Sequence, residues 1–533
     1  MINKQKINYR QSILFLWNIL KPHKKLYFLV SFFSLVFTGL GIMQARTTQL
    51  LIDSASSRDM RNILLSLFFY ILLIILNPSL RYINDLAVAK LGAYTGRDLK
   101  KKVAKKILNA EYGKIIHKKT GDMMKTVNSD TGAVCNFLSN DLNSLFSKFA
   151  MAIGILIYII YVNPLLALIT FLYTPLGMFF TLSINKKMNE LYPRRAKIDG
   201  EALSVVEQIF SSIPIVKSFM AERQTRKKIY NEYTQIYETD LKVSKWNSLL
   251  QTACSSTSMI PKIIFLSFGG FLCLKGNFTI GVLISVYDLL EYVIAPTVYF
   301  PFLLNGLNQS VVSMNRIQDL LDIPFQDDIE MHNTANPHIS VDHLSFSYQD
   351  GVPVIDDVSF EHTGPEIIAL CGKSGSGKTT LIDLISGLYK PDKGTIRMDG
   401  VLSVVSQDVY LFADSLLNNI RVLKPDASKE QVEQAIRMAA ANGFIESLPK
   451  GLETWVGDGS FDFSGGQKQR ISLARTILSD AQIWLLDEPT SAMDAETEKI
   501  ILQTILEASK TKLIIVSAHR DSLIKLTDRR IDL

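Results

Sequence analysis

The hydrophobic pattern changes character once along the chain. Before about residue 310 the apolar positions gather into six runs, 26–45, 63–82, 142–162, 165–184, 249–274 and 278–304. Each is close to the ~20 residues that cross a ~30 Å hydrocarbon layer as a helix. Only Asn163-Pro164 separates the third run from the fourth, which predicts a tight turn. A short amphipathic piece, 13–20, precedes the first run and predicts a helix lying at the membrane surface. Over 85–108 and 201–237 the pattern turns polar but keeps helical periodicity with few breakers. These stretches predict extensions of the membrane helices into water. Each pair of extensions is expected to be joined by a short cross-helix, near 110–117 and near 211–219. Pro78, Pro164, Pro175, Pro261 and Pro296 lie in or beside the runs, where lost backbone bonds are tolerated or allow bending.

After about residue 321 the long runs stop. The segment 323–337 carries Asp327, Asp328, Glu330 and Asn333 between two prolines and reads as a linker. From 338 to 533 short apolar runs alternate with helical segments, the pattern of an α/β domain with a mainly parallel sheet. The division is thus a membrane domain over 1–322, a linker, and a soluble domain over 338–533.

Composition and charge sharpen this division. The 533 residues are 47% hydrophobic with a formal net charge of +6. The loop between runs two and three holds Lys90, Arg97, Lys100, Lys101, Lys102, Lys105 and Lys106. The loop between runs four and five holds Lys186, Lys187, Arg194, Arg195, Lys197, Arg226, Lys227 and Lys228. The other connections are short, with Arg46, Arg58 and Arg61 in one and Lys275 in the other. The excess of basic residues places both long loops and both termini in the cytoplasm, across a cell membrane. Lying beside apolar runs, these clusters argue against nucleic acid as a partner. Cys135, Cys254, Cys273 and Cys371 show neither paired nor metal-like spacing and are read as free thiols. No small-residue cleavage site follows the basic N-terminus, so no cleavable signal is expected.

Three ionisable residues fall inside the apolar runs: Lys262 in the fifth, Asp288 and Glu291 in the sixth. Such residues are costly in hydrocarbon and often functional. Lys262 and Asp288 stand at similar depths and are expected to pair. Two readings stand side by side: these groups line a cavity that contacts cargo, or they form a buried ion pair that fixes helix packing.

The soluble domain carries the chemistry. Gly372-Lys373-Ser374-Gly375-Ser376-Gly377-Lys378-Thr379-Thr380 follows a short apolar run and opens an apolar-periodic segment. That is strand, glycine loop, helix, with the spacing of a phosphate-binding loop. The glycines let backbone N–H groups converge on phosphate, and the helix start adds its positive dipole end. Lys378 is placed to reach the β- and γ-phosphates of ATP and the Thr379 hydroxyl to sit on Mg²⁺. Further on, Ile483-Trp484-Leu485-Leu486 runs into Asp487 and Glu488. A buried strand of such a sheet presents its C-terminal residues at the ligand edge. Asp487 is expected to hold Mg²⁺ through water and Glu488 to polarise the attacking water. A third apolar run, 513–518, ends at His519, well placed to touch the γ-phosphate.

Phe463-Ser464-Gly465-Gly466-Gln467, followed by Lys468-Gln469-Arg470, resembles the signature motif of ATP-binding cassette (ABC) proteins. The order of phosphate loop, Gln407, signature, acidic strand, Ser491-Ala492-Met493-Asp494 and His519 also matches that family. With six preceding apolar runs, the chain resembles a bacterial half-size exporter over essentially its whole length. The implied fold is an all-α six-helix transmembrane domain with long cytoplasmic extensions, then an α/β P-loop NTPase domain. The resemblance implies that Tyr348 stacks on adenine and that Gln407 contacts Mg²⁺ and senses the membrane domain. It implies that Ser464, Gly465, Gly466 and Gln467 cap ATP held by a second half-transporter, identical or not, and that the cross-helices press on the cassettes. Glu488, His519 and Gln407 would then be the catalytic group.

Three departures from the family pattern stand out. About a dozen residues are missing between Gly400 and Gln407. The chain reaches Leu533 soon after His519, without the usual final strands and helix. Asp458 stands where a glutamate is common. The expected activity is ATP-driven export of a hydrophobic or amphipathic solute, such as a small peptide, drug or lipid, by a dimer. No N-terminal peptidase segment is expected. The alternatives are an ATP-gated or regulatory membrane subunit, and an importer of the same layout.

Overall fold

The computed structural model describes residues 9–326, 334–348, 352–457, 461, 463–518 and 521–533. The chain divides into two compact units, one of residues 1–108 and 119–322, the other of 109–118 and 323–533.

The first unit is helical. A short helix α1 (Tyr9–Leu20) is followed by α2 (Lys24–Ser56) and α3 (Met60–Leu108). After the short α4 (Tyr112–Ile115) come α5 (Thr120–Val162), α6 (Pro164–Ser211), the short α7 (Ile213–Ser218), α8 (Glu222–Leu274) and α9 (Ile280–Leu321). Five helices have the length and apolar composition to cross a membrane among the described residues. The fourth apolar run lies in α6, several of whose side chains are outside the described ones. Helical periodicity continues unbroken from apolar run to polar extension, so each span and its extension form one rod; α3 alone runs 49 residues. α5 holds two π-helical stretches, Thr126–Asp130 and Phe137–Asp141.

The core near the α8–α9 connection gathers Ile155 and Ile159 of α5, Phe265 of α8, and Val286, Leu289 and Leu290 of α9. Gly281 lets two rods close there. A Cβ at that position would stand 2.5 Å from the Gln49 carbonyl oxygen of α2. Asp53 of α2 accepts from the Gly281 N–H (3.2 Å) and the Thr279 hydroxyl (2.9 Å), while Thr279 caps the start of α9. At the other end of α9, buried Asp130 accepts from Ser313 (2.8 Å) and Arg316 (3.0 Å).

Lys262 pairs with Glu291 (2.9 Å), not with Asp288 as expected from the sequence. The helix ends explain it. Lys262 lies twelve residues before the end of α8, Glu291 eleven after the start of α9 and Asp288 only eight. At ~1.5 Å per residue, Lys262 and Glu291 are level and Asp288 is nearly a turn closer to the α8–α9 connection.

The second unit is built on two larger sheets. Three antiparallel strands run in the order β2 (Ile355–Thr363), β1 (His338–Phe346), β4 (Lys393–Asp399). Five parallel strands run in the order β10 (Arg529–Asp532), β3 (Glu366–Cys371), β9 (Leu513–Ser517), β8 (Ile483–Asp487), β5 (Leu402–Val405). A two-stranded piece pairs β6 (Asp414–Ser415) with β7 (Trp455–Val456). Period two divides the core of the parallel sheet. Ile483 and Leu485 of β8, with Leu513 and Ile515 of β9, face the antiparallel sheet and helix α10 (Lys378–Ile385). Trp484, Leu486, Ile514 and Val516 face helices α11 (Lys429–Met438), α12 (Gly465–Leu478) and α13 (Ala495–Ala508).

The short connection before Gln407 closes as a tight turn. β4 ends at Asp399 and β5 begins at Leu402, with Gly400 at φ +136° against Ile483. At the C-terminus the sequence reading is corrected. A final strand, β10, pairs in parallel with β3, and the Leu533 N–H donates to the Cys371 carbonyl (2.9 Å). Arg529-Arg530-Ile531-Asp532 holds one apolar residue, too little pattern to mark a strand. Asp458, and Asp327, Asp328, Glu330 and Asn333 of the linker, lie outside the described residues. All four cysteines are free.

Candidate active site

Parallel pairing brings the C-terminal ends of β3, β9, β8 and β5 to one edge of the sheet. The phosphate loop follows β3, the two carboxylates follow β8, and Gln407 follows β5 as an exposed residue. β9 lies between β3 and β8, so its last residue, Ser517, sits between loop and carboxylates.

The loop needs its glycines. Gly372, Gly375 and Gly377 have φ of +155°, +84° and +101°, and a Cβ on Gly377 would stand 2.9 Å from the Val354 carbonyl oxygen. Lys373 and Ser374 are exposed, while the Ser376 hydroxyl is buried with no hydrogen-bond partner among the described residues. Gly377 caps α10, so the first N–H groups of that helix face the loop. Lys378 is buried, and its ammonium donates to the carbonyls of Gly372 (2.9 Å) and Lys373 (3.0 Å). A buried ammonium, a buried unpartnered hydroxyl and a helix start share one loop, which is a cradle for phosphate.

The Thr379 hydroxyl donates to Asp487 (2.8 Å) and the Ser517 hydroxyl donates to the other oxygen of that carboxylate (2.6 Å). Ser517 in turn accepts from the Glu488 N–H (2.8 Å). Glu488 itself has φ +46°, a left-handed conformation that a non-glycine residue holds at a cost. The Gln469 amide reaches the Glu488 carbonyl (3.4 Å) and the Ser491 hydroxyl (3.2 Å). Sequence reasoning missed Ser517 and Gln469; the available signal for Ser517 was a polar residue closing a fully apolar strand. It also missed Asp383 on α10. Burial, with the Asp487 charge as a second cause, pushes the Asp383 carboxyl up to about 6.

Tyr348 lies beside the loop helix, its hydroxyl 3.0 Å from the Thr380 hydroxyl, with 41% of the residue exposed. His519 lies outside the described residues; the chain up to it is fixed by the Ala518 N–H donating to the Leu370 carbonyl (3.3 Å). Ser464 caps α12 in a reciprocal capping box. Its hydroxyl accepts from the Gln467 N–H (3.3 Å) and the Gln467 side chain accepts from the Ser464 N–H (2.9 Å). Ser464 and Gly465 are exposed, while Gly466 packs too closely on the Ala492 carbonyl to admit a side chain. In the first unit Asp288 and Glu291 are exposed on α9 and Lys262 is half-buried.

Family comparison agrees with this geometry. A model of the ABC transporter transmembrane region matches residues 27–297, and a model of the ABC transporter cassette matches 355–491. An uncharacterised ABC transporter ATP-binding protein of Bacillus subtilis is 27% identical over 96% of this chain and 92% of its own. A putative multidrug export ATP-binding/permease protein of Staphylococcus aureus is 28% identical over 87% of this chain and 83% of its own. The structure of a bacterial Atm1-family ABC exporter with ATP bound superimposes with a TM-score of 0.80 at 23% identity, covering 94% of this chain and 93% of that one. The chain therefore belongs to the ABC transporter family, with a transmembrane region and an ATP-hydrolysing cassette in one polypeptide.

Proposed function

We propose that the protein exports a hydrophobic or amphipathic solute, such as a small peptide, drug or lipid, from the cytoplasm or inner leaflet. It works as a dimer of half-transporters in the cell membrane, with both termini and the cassette in the cytoplasm. The observation that carries the reading is the chain of contacts from Thr379 through Asp487 and Ser517 to Glu488 at the end of the phosphate loop. The names of the relatives support the outward direction.

In this reading Gly372 to Thr380 hold the triphosphate and Tyr348 stacks on the base. Lys378 exchanges its two carbonyl partners for phosphate oxygens. Thr379, Asp487 and Gln407 offer hard oxygen donors that suit Mg²⁺. The 2.8 Å approach of the Thr379 and Asp487 oxygens fits one small cation. Bound there, Mg²⁺ would neutralise phosphate charge. Glu488 orients and deprotonates the attacking water, and Ser517 fixes the backbone from which Glu488 projects. His519, which follows β9 by two residues in the sequence, contacts the γ-phosphate. Ser464, Gly465, Gly466 and Gln467 form the start of α12, with Ser464 and Gly465 exposed, and are suited to cap the γ-phosphate of the partner's nucleotide.

For cargo, the first unit offers an apolar cavity of about 320 Å³ lined by Phe149, Ile153, Leu156, Val293, Pro296 and Phe300 among others. Asp288 and Glu291 lie exposed on a membrane helix, and ionised groups facing lipid are costly. That face therefore turns to the partner or to the pathway, where Lys262, Asp288 and Glu291 meet cargo.

The test is Glu488→Gln in the purified full chain. Hydrolysis should fall by ~10²-fold or more while MgATP still binds. Retained turnover would reject the base assignment. Loss of binding together with turnover would place the residue in the nucleotide pocket instead. Transport into inside-out vesicles decides the direction.

A further inference from the structure

On the helical side of its parallel sheet the second unit holds a cavity of about 370 Å³. Sites for small molecules commonly measure ~300–1,000 Å³. This one lies where β8 and β9 begin. Trp484, second in β8, and Lys512, just before β9, line it together with Ala435 and Met438 of α11, Leu478 at the end of α12 and Ala508 at the end of α13. β8 and β9 run parallel, so this edge of the sheet is opposite to the one that carries the phosphate loop, Asp487 and Glu488. Trp484 stands three residues before Asp487, roughly 10 Å along the strand.

Two donors here are short of acceptors. The Trp484 indole N–H is buried with no hydrogen-bond partner among the described residues, whereas a buried indole usually finds one. The half-buried Lys512 ammonium carries three N–H groups. Among the described residues it donates to the Ala481 carbonyl, and its charge lies 5.4 Å from the centre of the Trp484 ring. Burial holds this ammonium below the ordinary lysine range, with Asp480 acting the other way. The carboxylates that border the cavity are engaged elsewhere. Asp480 pairs with Lys424, and Glu507 accepts from Gln503 (3.3 Å). Both still repel a second negative charge. The remaining wall, from Ala435, Met438, Leu478 and Ala508, is apolar.

We propose that this cavity binds a small monoanionic carboxylate with an apolar body, at a site separate from the nucleotide site. The head pairs with Lys512 and supplies the acceptor that Trp484 lacks. The body rests on the wall formed by Met438 and Leu478. A dianionic phosphate is disfavoured by Asp480 and Glu507, and a neutral solute leaves the ammonium as it was.

The test uses the full chain in lipid nanodiscs and two fluorinated probes that share a head and differ in body, para-trifluoromethylbenzoate and ω-trifluorooctanoate. Binding is read from fluorine NMR line broadening, with empty nanodiscs subtracted. At least one probe should bind saturably, and its uncharged amide counterpart should bind about tenfold more weakly or worse. Lys512→Met keeps the stem and removes the charge. It should weaken binding about tenfold, the scale of a hydrogen bond to a charged group, while Lys512→Arg retains most of it. Met438→Trp, which fills the cavity from a partly exposed wall, should abolish binding. Melting temperatures close to the parent's establish that each variant is folded. Saturating MgATP should leave the bound probe in place. If neither probe saturates, the cavity holds water alone and the proposal fails. Equal binding of acid and amide, or of probe to Lys512→Met and to the parent, rejects the anion site. Retained binding in Met438→Trp places the probe outside this cavity, and displacement by MgATP places it in the nucleotide site; either result overturns the proposal.

Discussion

Glu488 is the residue on which the proposed chemistry turns, and its backbone is left-handed at φ +46°. The Ser517 hydroxyl holds that conformation by accepting from the Glu488 N–H while donating to Asp487. Ser517→Ala should therefore lower kcat about tenfold, well short of the ~10²–10⁴ attributed to a general base itself, with ATP affinity nearly unchanged. An unaltered kcat would show that the strand end holds Glu488 without help. Asp383 allows a test of a different kind. Its carboxyl titrates near 6 when folded against an ordinary 3.8, first through burial and then through Asp487. A raised folded pKa means that the ionised group destabilises the fold. The penalty is full above about 6 and fades as pH falls toward 3.8. Asp383→Asn should thus raise the apparent melting temperature at pH 7.5 and raise it less at pH 5. Discounted for partial exposure, the gain is on the order of 1 kcal/mol. Equal gains at both pH values would reject the electrostatic cause. At this scale the sequence showed what a motif can show. The phosphate loop and the acidic strand end announce themselves by spacing. Ser517 and Asp383 act through neighbours from other strands and helices, and no local pattern marks that.

Elements were legible where one period persists and illegible where two meet. Each membrane helix could be drawn from its apolar run, and its polar extension with it, because the two stretches share the same 3.6-residue period; α3 ends at Leu108, where the extension read over 85–108 ends. The Lys262 partner was missed for a different reason: counting depth from the edge of an apolar run is less accurate than counting from the helix end. β10 was missed because a four-residue edge strand with one apolar position carries no alternation. The close approach of α2 and α9 shows what sequence could not rank among 29 glycines. Gly281→Ala must move the Gln49 backbone or the Asp53 carboxylate, and overpacking of this kind costs ~1–3 kcal/mol. Thr279→Ala removes a cap and the exposed bond of the same hydroxyl to Asp53, ~1 kcal/mol in all. Thermal unfolding in detergent should rank Gly281→Ala as the more damaging. The reverse order, or a neutral Gly281→Ala, would mean that the two rods have room to separate where Gly281 meets α2.

For the whole molecule, the decisive question is whether one chain completes its own nucleotide site. The capped start of α12 is exposed, and a Cβ added to Gly465 would meet, among the described residues, the Ala492 methyl at 3.8 Å. Gly465→Asp therefore has room for its Cβ and places a negative charge at a helix start proposed to bind an anion. Lys378→Ala disables the phosphate loop. In a head-to-tail dimer each homodimer of these variants is dead at both sites. A heterodimer that pairs one variant with the other gathers both defects into a single composite site. The second site then contains an intact loop from one chain and an intact helix start from the other. Purified through two different tags, that heterodimer should retain one nucleotide per dimer in a Glu488→Gln background, while neither homodimer retains any. A chain that builds its site alone has no way to rescue either defect in trans. Retention by the mixture therefore separates a shared site from a private one, whatever the cargo.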